Sequence, residues 1–153
     1  MTIPRRLPNL ADVRYFVDED LAGVGLAMMQ LRNDIVVGSH APVEDVIPSD
    51  DVDWIPVVAA RGWVVITNDR HIRTRSDEAA AAVENGARIV HLKPTVRNPN
   101  RWEFVRLLAR HWDIVEELAA ESGPRWLQLQ TNRYRYLEFR PGEPPRLPST
   151  TDA

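Results

Sequence analysis

"RYFVDEDLAGVGLAMM", residues 14–29, decides the fold. Tyr15, Phe16 and Val17 form a short apolar run that breaks into three consecutive acids, Asp18, Glu19 and Asp20, and then into a stretch of helical character. A strand that surfaces into carboxylates and turns at once into a helix is the opening half of a β–α–β unit. Three more runs of strand length follow: "DIVVG" (34–38), "WVVIT" (63–67) and "RIVHL" (88–92). They are rich in Val and Ile and do not alternate strictly, as expected of strands buried on both faces. Between them the spacing predicts helices over 20–31, 52–61 and 76–85, the last with a Ser N-cap, early acids and a Gly stop. The expectation is an α/β fold with a central, mainly parallel sheet, right-handed crossovers and helices on both faces.

Beyond Pro94, apolar residues at helical spacing, from Trp102 through Leu108 and Trp112 to Ala119, predict one long helix over 101–121. "RWLQLQTNRYRYLEFR" (125–140) alternates like a short C-terminal β pair. Residues 1–140 therefore read as a single domain. Pro141, Pro144, Pro145 and Pro148 predict a disordered tail over 141–153.

Composition narrows the chemistry. The 153 residues suffice for one core, and 44% hydrophobic with 27% charged residues is ordinary for a globular protein. Without cysteine, disulfides and thiolate metal sites are excluded. No apolar run reaches the ~18 residues of a membrane span, and the start "MTIPRRLPNLADVR" has no apolar core of signal-peptide length, so a cytoplasmic protein is expected. A net charge of −3 gives no overall basic field, though a local basic stripe can still bind nucleic acid. His40, His71, His91 and His111 lack HxxxH or HExxH spacing, no G-x-S-x-G elbow exists, and Gly23 and Gly25 do not complete GxGxxG.

What remains is acid. Ligands of parallel α/β sheets bind beyond the carboxyl ends of the strands. Asp18 ends the first predicted strand, Asp69 follows the third, and "SDDVDW" (49–54), with Asp51 and Asp53, opens the helix between. Two carboxylates about 4 Å apart repel by about 4 kcal/mol at an effective dielectric near 20. A divalent cation would relieve that repulsion, and all-oxygen donors suit Mg²⁺ or Mn²⁺. Simpler roles stay open: Asp20 as a helix cap, Asp50, Asp51 and Asp53 as an acidic first turn, Asp69 as a turn residue. Directly after Asp69 stand Arg70, Arg73 and Arg75, whose guanidinium groups suit phosphate. Tyr134 and Tyr136 alternate with Arg133 and Arg135 further on, a pattern that can stack on bases.

Four motifs in order carry a family resemblance: "YFVDEDL", "DVDWIP", "RGWVVITNDR" and "RTRSDE". They resemble F-x-D-E/R-N/D-L, D-x-E/D-W-I-P, G-W-V-V-x-T-x-D-R and R-x-R-x-x-E of PIN-like, VapC-type ribonuclease toxins, over residues 14 to 92. The resemblance implies a three-layer PIN-like fold, Mg²⁺- or Mn²⁺-dependent endoribonuclease activity, an RNA substrate, neutralisation by a cognate antitoxin protein, and homodimers in many members. Carried over by position, it makes Asp18, Asp51 and Asp69 the catalytic metal ligands, with Glu19, Asp53 and Glu78 as further candidates. Beside such a site, the guanidinium groups of Arg70, Arg73 and Arg75 are the expected RNA-binding residues. A fourth acid would be Asp77 or Glu78, and His71 stands where some related domains have an acid. Two other readings stay open. One is a phosphorylation receiver, with acids after strand one, an Asp after strand three and Lys93-Pro94 after a later strand. The other is a PIN-like module without activity that only binds a partner.

Overall fold

The computed structural model describes residues 7–69, 72, 75–140 and 143–146. Its strands are β1 (Tyr15–Val17), β2 (Ile35–Val37), β3 (Val64–Thr67), β4 (Arg88–Leu92), β5 (Arg125–Leu129), β6 (Tyr134–Arg140) and β7 (Glu143–Arg146). Its α-helices are α1 (Ala22–Leu31), α2 (Asp51–Ala60), α3 (Ser76–Glu84), α4 (Arg101–Arg110) and α5 (Trp112–Ala119). The strands lie in the order β2-β1-β3-β4-β5-β6-β7. Pairing is parallel from β2 to β5, then antiparallel at β5–β6 and β6–β7. The four apolar runs form the parallel strands as expected, and β1 pairs directly with β3.

Each strand of the parallel sheet is buried on both faces. On one face Val17, Ile66, Val90 and Leu127 pack against Val24 of α1, Leu108 of α4 and Leu118 of α5. On the other, Phe16, Val65, Ile89 and Trp126 pack against Trp54 and Val58 of α2 and Ala82 of α3. Among the described residues, no helix is long and apolar enough to cross a membrane.

Four expectations need correction. The long helix predicted over 101–121 is two, α4 and α5, broken at His111 (φ −108°, ψ 16°). The His111 ring nitrogen Nε2 lies 2.9 Å from the Gln130 carbonyl oxygen, which holds the break against the sheet. The C-terminal β pair forms as expected, from β5 and β6, but β5 also runs parallel to β4 and extends the parallel sheet from the four expected strands to five. Crossovers are not uniformly right-handed. The steps β3 to β4 and β4 to β5 run in the same direction across the sheet, yet α3 packs on one face and α4 and α5 on the other, so the two crossovers have opposite hands. The long, broken connection after β4 is free to cross either face. Finally, the proline-rich end is not tail throughout, because Glu143–Arg146 forms β7 on β6. The remainder of 141–153 lies outside the described residues.

One side chain ties the layers together at the end of the sheet away from the acids. Nη1 of Arg88 donates to the carbonyls of Ala119 (2.7 Å) and Glu121 (3.0 Å), at the exposed end of α5, and Nη2 donates to that of Gly62. Burial lowers the pKa of this guanidinium, and the surrounding carbonyls accept the N–H groups that burial takes from water. Arg88→Met keeps the stem and removes the donors. It is expected to lower unfolding free energy by about 2–3 kcal/mol, read as a shifted urea midpoint at constant slope.

Candidate active site

The chain leaves β1 for β2 on one side and returns to β3 on the other, so the order of connection reverses between β1 and β3. At that switch point the carboxyl ends of two parallel strands diverge and leave a crevice. Asp18 and Asp69 emerge there.

The backbone holds Asp18 firmly. Its N–H still belongs to the sheet ladder, donating to Ile66 O at 2.9 Å, while its carbonyl accepts from Leu21 N and so starts a 3-10 turn, Glu19–Leu21. The carboxylate makes no capping bond to that turn. Instead Asp18 Oδ2 accepts from the Thr67 hydroxyl at 2.9 Å, and the same hydroxyl oxygen accepts from Asp69 N at 2.9 Å. A single buried hydroxyl therefore connects the Asp18 carboxylate to the Asp69 backbone. Asp20 does not act as the helix cap; its Oδ2 accepts from Asn68 N at 3.2 Å. Two of the three acids at the β1 exit, Asp18 and Asp20, thus clasp the β3 exit.

A cleft of about 300 Å³ opens here, lined by Asp18, Glu19, Asp20, Ser39, Trp54 and Asp69 among others. Glu19 accepts from the Ser39 hydroxyl, which fixes the wall on the β2 side. Trp54, from the D-V-D-W-I-P motif, stacks at a tilt on Phe16 with centroids 5.1 Å apart and forms the apolar floor. That motif therefore shapes the cleft through its tryptophan.

The remaining candidates divide. Asp53 is exposed and does not line the cleft, and Asp50 forms no side-chain cap on α2. Of the two candidates for a fourth acid, Asp77 is exposed, whereas Glu78 is buried and accepts from Arg75 at 3.2 Å. Arg75 is thereby tied to α3. Arg70, Arg73 and His71, and the side chain of Asp51, lie outside the described residues. Among the described residues, no group of three or more His, Cys, Asp or Glu could hold a metal ion. The donors at hand are carboxylate oxygens, which suit a hard divalent cation in kind.

Thr67 received no role from the sequence, since one hydroxyl at the end of "VVIT" reads as part of the strand. The register shows more. Thr67 pairs with His91, His91 with Gln128, and Gln128 with Arg135. The first three are buried, and Gln128 accepts from Arg135 Nε at 2.9 Å. A polar row thus crosses the sheet from the acidic cleft, beneath α2 and α3.

A sequence model of the PIN-like domain matches residues 13–94, the stretch from just before β1 to just after β4. The chain belongs to the PIN-like domain family. Comparison with curated proteins and with solved structures gave no match. PIN-like domains are commonly nucleases and generally use divalent metals. The matched stretch contains the whole cleft and Glu78, while α4, α5 and β5 to β7 lie beyond it. Lys93 closes the strand next to that of Asp69, with no strand between, whereas a receiver module interposes one.

Proposed function

We propose that this PIN-like protein is a metal-dependent endoribonuclease and the toxin of a toxin–antitoxin pair. The observation that carries the reading is the Asp18–Thr67–Asp69 linkage at the sheet's switch point, facing a cleft walled by further acids. Asp18 and Asp69, with Asp51, would hold Mg²⁺ or Mn²⁺, and the family pattern offers Glu19, Asp53 and Glu78 as further acids, of which Glu19 lines the cleft. When bound, the cation supplies a polarised water and offsets charge on the phosphodiester.

The chain's own groups do the rest. The Thr67 hydroxyl orients the Asp18 carboxylate, so its direction is set before any ligand arrives. Asp20 and Asn68 lock the two exits together. Arg70, Arg73 and Arg75 would bind the RNA backbone beside Asp69, offsetting the repulsion between phosphate and acids. Control would come from a cognate antitoxin protein that places an Arg or Lys among Asp18, Asp51 and Asp69. Such a partner competes with the metal, so antitoxin affinity should fall at saturating Mg²⁺.

The test is direct. Purified protein should cut single-stranded RNA with Mg²⁺ or Mn²⁺, stop in EDTA, and recover when the ion is restored. RNA that stays intact under all these conditions refutes the nuclease reading.

A further inference from the structure

We infer that Arg101 is a phosphate-contacting residue of this site, gripping the single-stranded RNA where it leaves the acidic cleft across the start of α1. The inference rests on the ribonuclease reading above and adds a residue that lies outside both the matched family stretch and the arginine run after Asp69.

Arg101 begins α4, and its guanidinium lies against Gly23, the second residue of α1. A Cβ built on Gly23 would stand 2.5 Å from Nε and 2.8 Å from Cζ of Arg101. Only the missing side chain at position 23 gives the guanidinium its seat. Gly23 comes three residues after Asp20, which lines the cleft, so the cation is fixed within about one helical turn of the acids.

Local stability does not account for that placement. Among the described residues Arg101 has no hydrogen bond or ion pair, and Glu103 in the same turn pairs with Arg106 instead, at 3.6 Å. A cation in the first turn of a helix is opposed by the helix dipole. Glycine within a helix costs about 1 kcal/mol relative to alanine. Two locally unfavourable choices therefore combine to hold one guanidinium, with its fork of N–H donors unused by any described residue, against α1 three residues beyond Asp20 of the acidic cleft. A planar fork matches the oxygens of a phosphodiester.

The charge layout continues the same path. Lys93, an exposed cation, directly follows β4, the strand next to the one that Asp69 follows. Arg97 follows on the exposed loop between β4 and α4. The carboxyl edge of the sheet is thus acidic at β1 and β3 and basic from the end of β4 onward. A strand of RNA cut at the acids would lay its flanking phosphates on the basic half.

The experiment measures binding of a fluorescent single-stranded RNA in EDTA, and cleavage separately with Mg²⁺, for wild type, Arg101→Gln, Gly23→Ala and the double variant. Arg101→Gln should weaken binding by roughly ten- to a hundred-fold and flatten the slope of log K against log salt by about 0.7. Its KM should rise while kcat stays within about twofold, the pattern of lost uniform binding. Gly23→Ala should show a similar loss, because its methyl group displaces the guanidinium, and should add nothing in the Arg101→Gln background. Melting temperatures report folding, and Arg101→Gln, at an exposed position, keeps the test decisive if Gly23→Ala is unstable. Wild-type binding and cleavage with an unaffected Arg101→Gln overturn this inference and leave the nuclease reading standing. An unaffected, folded Gly23→Ala overturns the seating and the inference with it. Wild type that neither binds nor cuts RNA removes both.

Discussion

Asp69→Asn should leave a folded protein whose RNA cleavage has dropped about a thousandfold or more, because a lost metal ligand removes several kcal/mol of transition-state stabilisation. Asparagine keeps nearly the same volume, and the bond from the residue-69 amide to Thr67 Oγ1 is made by backbone, so packing and turn geometry survive. The melting temperature of the metal-free protein should hold or rise, since one carboxylate fewer faces Asp18, Glu19 and Asp20 in the cleft. Thr67→Val separates orientation from ligation. Valine fits the strand, but the hydroxyl that serves both the Asp18 carboxylate and the Asp69 amide is gone. Activity should fall by about ten- to a hundred-fold, as when a group supporting a metal ligand is lost. Here stability should fall too, by about 1–3 kcal/mol, because a buried carboxylate and a part-buried amide each lose a bond. The two variants thus move stability in different directions while both lose activity. Full activity in Asp69→Asn, measured at saturating Mg²⁺, would remove the metal role of Asp69.

How much of this could be read beforehand depended on range. Runs such as Tyr15–Val17 and Val64–Thr67 are legible because strands buried on both faces must be apolar throughout, whatever they pair with. That the acids after β1 and β3 meet at one cleft was legible because parallel strands bring their carboxyl ends to one edge. The break at His111 was not. Leu108 and Val115 keep helical spacing through it, and what interrupts the helix is a bond to Gln130, in a loop far along the chain. β5 alternates as a half-buried strand would, yet Trp126, Leu127, Gln128 and Leu129 are all buried once helices cover both faces. Gly23 illustrates the limit most sharply. In sequence it is a failed member of a glycine motif; in space it is the seat of Arg101. Nothing local to either residue indicates the other.

Gly123→Ala should be the most damaging single methyl group in the protein, lowering unfolding free energy by about 3 kcal/mol or more, since overpacking a rigid contact costs at least the upper part of the usual range. A Cβ at position 123 would stand 2.1 Å from Gly86 O and 2.8 Å from Gly86 C. Those are backbone atoms, and they cannot swing aside. Gly86 (φ +65°) ends α3 with two closing bonds, Gly86 N to Val83 O and Ala87 N to Ala82 O, the pairing of a Schellman turn. The next link, Arg125 N to Ala87 O at 3.0 Å, starts the β4–β5 ladder. Moving residue 123 outward therefore strains the end of α3 and the first rung of the sheet together. Gly25→Ala offers a graded comparison: its Cβ would meet Val37 Cγ2 at 2.5 Å and Val17 Cγ1 at 2.9 Å, side-chain atoms against which α1 can shift. A loss of about 1–3 kcal/mol is expected there. Gly62 has a positive φ of +74° but nothing within 4 Å, so Gly62→Ala should cost only the left-handed backbone penalty, about 1–2 kcal/mol. Urea midpoints at constant slope would rank the three. Equal losses at 62 and 123 would mean that the approach of Gly86 to Gly123 yields easily. The ordered series would instead show that the main-chain approach of Gly86 to Gly123 is a rigid contact at the end of the sheet opposite the acids. The cleft lies at the carboxyl ends of β1 and β3, so RNA cleavage per folded molecule should be unchanged in Gly123→Ala even where the folded fraction is much reduced.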